Sequence, residues 1–288
     1  MDYGARVRAR LAAALAALAV TTSLASVSLV AAASPARADN TTISYGPLRT
    51  GWDPNEANLS PSNVSASDFG QLFSTALDGQ VYAQPLVAGG TVLAVTENDT
   101  AYGLDPQTGA TRWQNHVGSP WPASAIGCGD LVPDIGITST PVYDPATGTA
   151  YFAAKVNDGP DVDHPHWYLH AISVQTGVER SGFPTTIGGS PTNNPANTFD
   201  PMTAGQRAGL LLLDGVVYVA FASHCDYGTY VGYVAGVSAS TGRQTTLWAT
   251  EGSSSSAEAG IWQSGGGLVS DGPGRIILAT GNGVSPAP

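Results

Sequence analysis

The sequence predicts an all-β protein built from a repeated four-stranded unit. Three observations support this. After residue 38, short runs rich in β-branched and aromatic residues alternate with Gly, Asp and Pro turns, and helical periodicity is nearly absent. A Thr-Gly turn follows an apolar strand in "GLDPQTGATRW", "AISVQTGVERSGF" and "GVSASTGRQTTLW", with Thr108, Thr176 and Thr241 spaced 68 and 65 positions apart. Two further apolar strands precede each copy: "YAQPLV" and "TVLAVTE", "GITSTPV" and "GTAYFAAK", "AGLLLL" and "VVYVAFAS".

The elements follow in chain order. Arg6, Arg8 and Arg10, the apolar "LAAALAALAV" and Ala36-Arg37-Ala38 read as a secretory signal over residues 1–38, with the mature chain starting at Asp39. An uncleaved membrane anchor is the competing reading, but "TTS" breaks the apolar run. Residues 39–68 are expected to be an extended lead-in, and Phe69 to Asp78, "FGQLFSTALD", takes the place of an outer strand. The first unit is expected at Val81–Val87, Thr91–Thr96, Ala101–Leu104 and Thr111–His116. Its last turn is Asp105 to Gly109, where glycine supplies a positive φ. A fourth unit begins as "GIWQSGGGLVS" and continues through "RIILATGN".

At "LDPQTGATRW", residues Asp105, Thr108, Gly109 and Trp113 match a pattern of the form A-x-D-x-x-T-G-x-x-x-W. The segment resembles the repeat of quinoprotein-like (PQQ-repeat-like) β-propellers. The later copies depart from it: Ser173 and Ser238 replace the Asp, and the last aromatic moves to Trp248. "DGQVYAQPLV" and "GIWQSGGG" look like a group of secreted bacterial propellers related to that family. The resemblance implies blades of strands A to D, numbered outward from a central channel. Physics agrees, because a lone four-stranded unit cannot bury both faces and must stack on neighbours. Residues 69–288 are then expected to be the N-terminal part of a propeller of about six to eight blades: a closing strand, three full blades and two strands of a fourth; an oligomer that completes the ring and a true four-blade form are the alternatives. Trp113 is expected to pack between blades rather than serve a cofactor.

Composition bounds the function. The formal net charge is −11. Loss of Arg6, Arg8, Arg10, Arg37 and Asp2 with the signal would take it to −14. Such a balance argues against nucleic acid and anionic membranes as partners, and no segment after the signal is apolar enough to span a bilayer. Cys128 and Cys225 in an exported chain are expected to form a disulfide joining loops of neighbouring blades. His224, Cys225 and Asp226 are adjacent, but on an extended segment His224 and Cys225 point to opposite sides, which disfavours a thiol–imidazole pair.

Loop length locates the site. The A–B and C–D turns are short and share one end, while the B–C and D–A connections at the other end are long, and ordered long loops on a rigid scaffold are where ligands bind. Glu97, Asp99, Asp134, Lys155, His224, Asp226, Trp262 and Gln263 are the candidate ligand-binding residues there. Asp161, Asp163, His164 and His166 in "DVDHPHW" are a candidate metal loop, against the plainer reading of a solvated acidic loop.

Three functions compete. The first is a secreted, non-catalytic binding module for a polar small molecule, a glycan or an extracellular protein. The second, implied by the resemblance, is an alcohol or sugar dehydrogenase using pyrroloquinoline quinone (PQQ) and Ca²⁺. The wide separation of Cys128 and Cys225 departs from the adjacent cysteines found in many such enzymes. The third is a carbohydrate-active hydrolase or lyase, for which no carboxylate pair is assignable from sequence.

Overall fold

The computed structural model describes residues 39–54, 56, 59–64, 69–253 and 257–283; the expected signal, residues 1–38, lies outside them. Among the described residues there is no α-helix, only strands, turns and two short 3-10 segments.

Three consecutive antiparallel four-stranded units form as expected. The first is β1 (Leu86–Ala88), β2 (Thr91–Val95), β3 (Thr100–Leu104) and β4 (Thr111–His116), paired in that order. A small ribbon of β5 (Trp121–Pro122) and β6 (Asp134–Ile135) follows in the connection. The second unit is β7 (Val142–Asp144), β8 (Thr149–Val156), β9 (His166–Ser173) and β10 (Thr185–Ile187). Next, β11 (Ala204–Gly205) pairs with the end of the third unit's second strand. That unit is β12 (Leu211–Leu213), β13 (Val216–Ser223), β14 (Tyr233–Ser238) and β15 (Gln244–Ala249). The fourth unit contributes isolated bridges, Val269 to Ile277 and Gly260 to Gly281. These are the blades of a β-propeller architecture. Phe69 to Asp78 runs without strand pairing and packs Phe73 and Thr75 against Gly109.

Burial explains the stacking. Every residue of β8 is buried, whereas the outer strand β4 alternates exposed and half-buried positions. Successive side chains of a strand point to opposite faces. In β8, Ala150, Phe152, Ala154 and Val156 therefore join Leu86, Leu93, Val95 and Ala101 of the first blade. Tyr151 and Ala153 join Val217, Val219 and Phe221 of the third. Lys155 shares their parity, so it is carried toward the third blade. The same rule sends Ala220 of β13 to the fourth unit, beside Ile261 and Leu268.

The Thr-Gly turns are closed alike in all three blades. The amides of Gly109, Gly177 and Gly242 donate to the carbonyls of Asp105, Ser173 and Ser238 at 2.8, 2.8 and 2.9 Å, and each glycine has φ near +70°. Asp105 adds side-chain acceptance from the amides of Gln107 and Thr108, which Ser173 and Ser238 do not reproduce. The backbone turn tolerates the change because glycine, not the acid, supplies the left-handed residue.

Trp113 crosses to the next blade as expected. Its Nε1 donates to the Val174 carbonyl at 3.0 Å, and its ring lies so close over Gly103 that a Cβ there would clash with it. Trp248, the displaced copy, is 40% exposed.

The lead-in holds a feature that strand patterns do not announce. Residues 40–49 cross the inner strands of all four units. The Asn40 amide donates to the Val87 carbonyl, the Tyr143 amide to Thr41, and the Thr42 hydroxyl to Leu210. Arg49 completes the strap, donating to the carbonyls of Ile43, Leu210 and Leu268 and to the Thr42 hydroxyl. Burial lowers its pKa to about 10.

Replacing Trp113 with Ala should lower the unfolding free energy by about 3 kcal/mol, since a large ring leaves an inter-blade gap. Trp248→Ala should cost less than about 1 kcal/mol. Urea unfolding of the two variants checks the difference.

Candidate functional site

The long-loop end carries two neighbouring groups of polar side chains. The first surrounds an open cavity of about 420 Å³ lined by Asp78, Gln80, Glu97, Asn98, Pro133 and Asp134, with Leu77 and Gly79. Three loops supply these residues: the segment before blade one, its β2–β3 connection, and the strand β6.

Asp78 is exposed at the rim and organises it. It accepts from the hydroxyls of Thr96 and Thr100 and from Asn98 Nδ2, at 3.0, 2.8 and 2.8 Å. Burial opposes its ionisation, but the hydrogen bonds from Thr100, Asn98, Tyr102 and Thr96 outweigh it and hold its carboxyl below the usual range. Gln80 Nε2 is committed to the Val132 carbonyl at 3.1 Å.

Glu97 is 1% exposed. Its Oε2 accepts from the Gly136 amide at 2.7 Å and the Thr138 hydroxyl at 3.0 Å, while Oε1 has no hydrogen-bond partner. Burial raises its pKa to about 7, against the pull of those two bonds. Asp99 is fully buried, with φ 51°, and neither carboxylate oxygen has a hydrogen-bond partner. Burial, then the charges of Glu97 and Asp134, drive its pKa well up.

The second group is a chain of three ionisable residues, Lys155 and His224 buried and Asp130 partly exposed. Lys155 Nζ donates to the Met202 carbonyl at 2.8 Å and meets His224 Nε2 at 3.1 Å. It stands 3.8 Å from the Trp121 ring centroid, a cation–π distance. His224 Nδ1 faces Asp130 Oδ2 at 3.2 Å. Burial lowers the Lys155 pKa far below its ordinary value and takes His224 down to about 4, despite Asp130. A neutral imidazole fits this pattern, donating from Nδ1–H to Asp130 and accepting at Nε2 from Lys155.

A disulfide clamps the chain. Cys128 and Cys225 are joined, with Cα atoms 6.3 Å apart, as expected from sequence. Cys128 lies two residues before Asp130, and Cys225 follows His224, so the bridge holds both ends of the Asp130–His224 contact. The local geometry differs from expectation. His224 to Asp226 is a 3-10 turn with Cys225 at φ 51°, not an extended segment. His224 turns inward at 2% exposure. Asp226 stays at the surface and accepts from Tyr230 OH and Asn282 Nδ2.

Of the sequence candidates, Glu97 and Asp134 line the cavity, and Asp99 is buried next to Glu97 in the chain. Lys155 and His224 form the buried chain, closed to ligand. Trp262 and Gln263 lie in the fourth unit and do not line the cavity; Trp262 packs by Gly260 and Gly281, and Gln263 Nε2 donates to the Gly267 carbonyl. The candidate metal loop is held by separate pairs. His164 pairs with Asp161, whereas His166 pairs with Asp158, so the four residues split into separate exposed contacts. The Asp163 amide donates back to Asp161. Among the described residues no three His, Cys, Asp or Glu side chains stand together as metal ligands. Sequence reasoning missed Asp78, Gln80 and Asp130. For Asp130 a signal existed: it sits two positions from a cysteine expected to be bridged.

Residues 62–181 match a PQQ-repeat family model described as outer membrane protein assembly factor BamB. The PQQ-like repeat expected from the sequence is thereby borne out. No curated protein matches the chain. Among solved structures, BamB from Moraxella catarrhalis is 20% identical over 61% of this chain and 42% of its own, with a TM-score of 0.38. The quinohemoprotein alcohol dehydrogenase ADHIIG from Pseudomonas putida HK5 is 21% identical over 63% of this chain and 22% of its own, with a TM-score of 0.43. A europium-containing methanol dehydrogenase is 20% identical over 58% and 24%, with a TM-score of 0.38. The chain spans less than half the length of each of these three proteins.

Two outcomes follow from the geometry. The native protein should show no reactive thiol until reductant is added, and reduction should lower stability by about 4–5 kcal/mol for a loop of this length. A thiol titration coupled to urea unfolding reads both. The second concerns pH. The folded-state pKa of Glu97, about 7, is above its ordinary 4.5, so its stabilising contribution is complete below pH 4.5 and is lost as pH rises through about 7. That shift is worth about 3 kcal/mol. Glu97→Gln should flatten this limb of a stability–pH curve.

Proposed function

We propose that this PQQ-like propeller chain is an exported binding module that holds a polar, carbohydrate-type ligand at its long-loop end. The cavity bounded by Asp78, Gln80, Glu97, Asn98 and Asp134 carries the reading. Its volume is in the range of small-molecule sites. Its lining is rich in hydrogen-bond acceptors, which suits the hydroxyl donors of a sugar.

Export is supported by the Cys128–Cys225 bridge, since disulfides persist in oxidising compartments. No helix among the described residues is long and apolar enough to cross a membrane.

PQQ with Ca²⁺ does not fit the residues present. No three carboxylate or imidazole side chains of the described residues assemble as cation ligands. The two cysteines tie separate loops instead of lying side by side, and Trp262 is packed by Gly260 and Gly281.

Calorimetric titration with neutral oligosaccharides tests the proposal. Asp134→Asn and Gln80→Ala should each weaken binding about tenfold, the loss of about one hydrogen bond to a charged or polar group. Trp262→Ala should leave affinity unchanged. Equal affinity in all three variants would move the site elsewhere.

A further inference from the structure

The cavity is chemically one-sided. Asp78, Glu97 and Asp134 bring three carboxyl groups to it, and no Lys, Arg or His lines it. The amide nitrogens of its two amide side chains are already committed, Gln80 Nε2 to the Val132 carbonyl and Asn98 Nδ2 to Asp78. What remains for a ligand is acceptors. One of them is Glu97 Oε1, on a side chain that is 1% exposed, lines the cavity and has no hydrogen-bond partner on that oxygen. Asp99, beyond Asn98 in the same loop, has both carboxylate oxygens buried and without a hydrogen-bond partner. A buried acceptor without a donor is rare and costly, and a donor-rich cation in the cavity relieves the one on Glu97.

From this lining we propose that the cavity receives a primary ammonium group, which donates to the unpartnered Glu97 oxygen, with the Asp78 and Asp134 carboxylates spread along the rest of the lining. An amino sugar and a lysine side chain both present that group. The inference rests on the reading that this cavity is the ligand site, and it narrows the ligand from polar to cationic.

Proton linkage gives the site a signature. Glu97 is about half protonated near pH 7. The groups that act on it are Gly136 and Thr138, which hold its Oε2, the negative charge of Asp130 and the positive charge of Arg207. Asp99 in the same loop, Asp134 on β6 and Asp78 at the rim complete its charged surroundings. An arriving ammonium favours the ionised carboxyl, so below pH 7 it must displace a proton, and affinity falls by up to about tenfold per pH unit.

The test is calorimetric titration of the full chain with two probe pairs: glucosamine disaccharide against its N-acetylated form, and a blocked lysine tripeptide against its Nε-acetylated form. The amine of at least one pair should bind at least about tenfold more tightly than its acetylated partner, as expected when a charge-assisted hydrogen bond is lost. The tighter pair identifies the source of the ammonium. With the lysine probe, whose charge is constant over this range, wild-type affinity should fall about tenfold from pH 8 to pH 6. Glu97→Gln should remove that slope, and Asp134→Asn, at the surface-open side, should weaken the amine without removing it. Equal binding of amine and acetylated form in both pairs overturns the ammonium proposal and leaves the polar-ligand site standing. Binding of neutral oligosaccharides that Asp134→Asn does not affect overturns the site itself. Displacement of the amine by millimolar calcium chloride would show a site for hard metal cations and would also overturn the proposal.

Discussion

Double-sided burial of the second strand in each blade is the constraint from which the rest of the structure follows. β8 has no solvent face. A strand of this kind cannot exist at the surface, so it forces a blade on either side of it. Once the faces are assigned by parity, the position of each side chain follows with little freedom. Odd positions of β8 meet the third blade and even positions the first. Lys155 is the informative case. Its parity takes it into a packed layer, and there it finds Trp121, His224 and the Met202 carbonyl.

That placement shapes the electrostatics of the long-loop end. Removed from water, each buried ionisable group drifts toward its neutral form: Lys155 and His224 downward, Glu97 and Asp99 upward. The contrast is the exposed pair of Arg275 and Asp271 on the fourth unit, which water screens and which contributes little. The Lys155–His224–Asp130 chain is satisfied within itself, and the disulfide holds its ends. The Glu97 and Asp99 carboxylates are not. The two groups lie on the same end of the protein, one a closed support and the other an open demand for hydrogen-bond donors.

The repeat was legible because it uses local chemistry. Thr-Gly at 109, 177 and 242 marks a left-handed turn that any strand pattern makes visible, and Trp113 follows at a fixed distance. The bridge between Cys128 and Cys225 was also legible, because two cysteines on loops of the same end have one obvious use in an exported chain. Other features depend on contacts that leave no periodic trace. Residues 40–49 reach the four units through isolated contacts, some by backbone and some by the Thr42 and Arg49 side chains, so no alternation records their path. The clustered acids and histidines of "DVDHPHW" suggested convergence, but the turn sends His164 and His166 to different aspartates. Lys155 was expected among the ligand-binding residues of the long-loop end; it is buried instead, and its partners Met202 and His224 come from connections whose conformation the repeat does not determine.

The strap at residues 40–49 also sets an order of events. Synthesis runs from the N-terminus, so this segment emerges first. Its hydrogen-bond partners emerge one blade at a time, and Arg49 meets the Leu268 carbonyl across 219 positions of sequence. The earliest segment of the described chain to arrive is therefore among the last to be secured. Until the fourth unit has emerged, the guanidinium lacks one of its acceptors and the inner strands lack part of their cover. A chain interrupted before residue 268 would hold formed blades around an unfastened centre, which makes the strap a built-in check that translation has gone far enough.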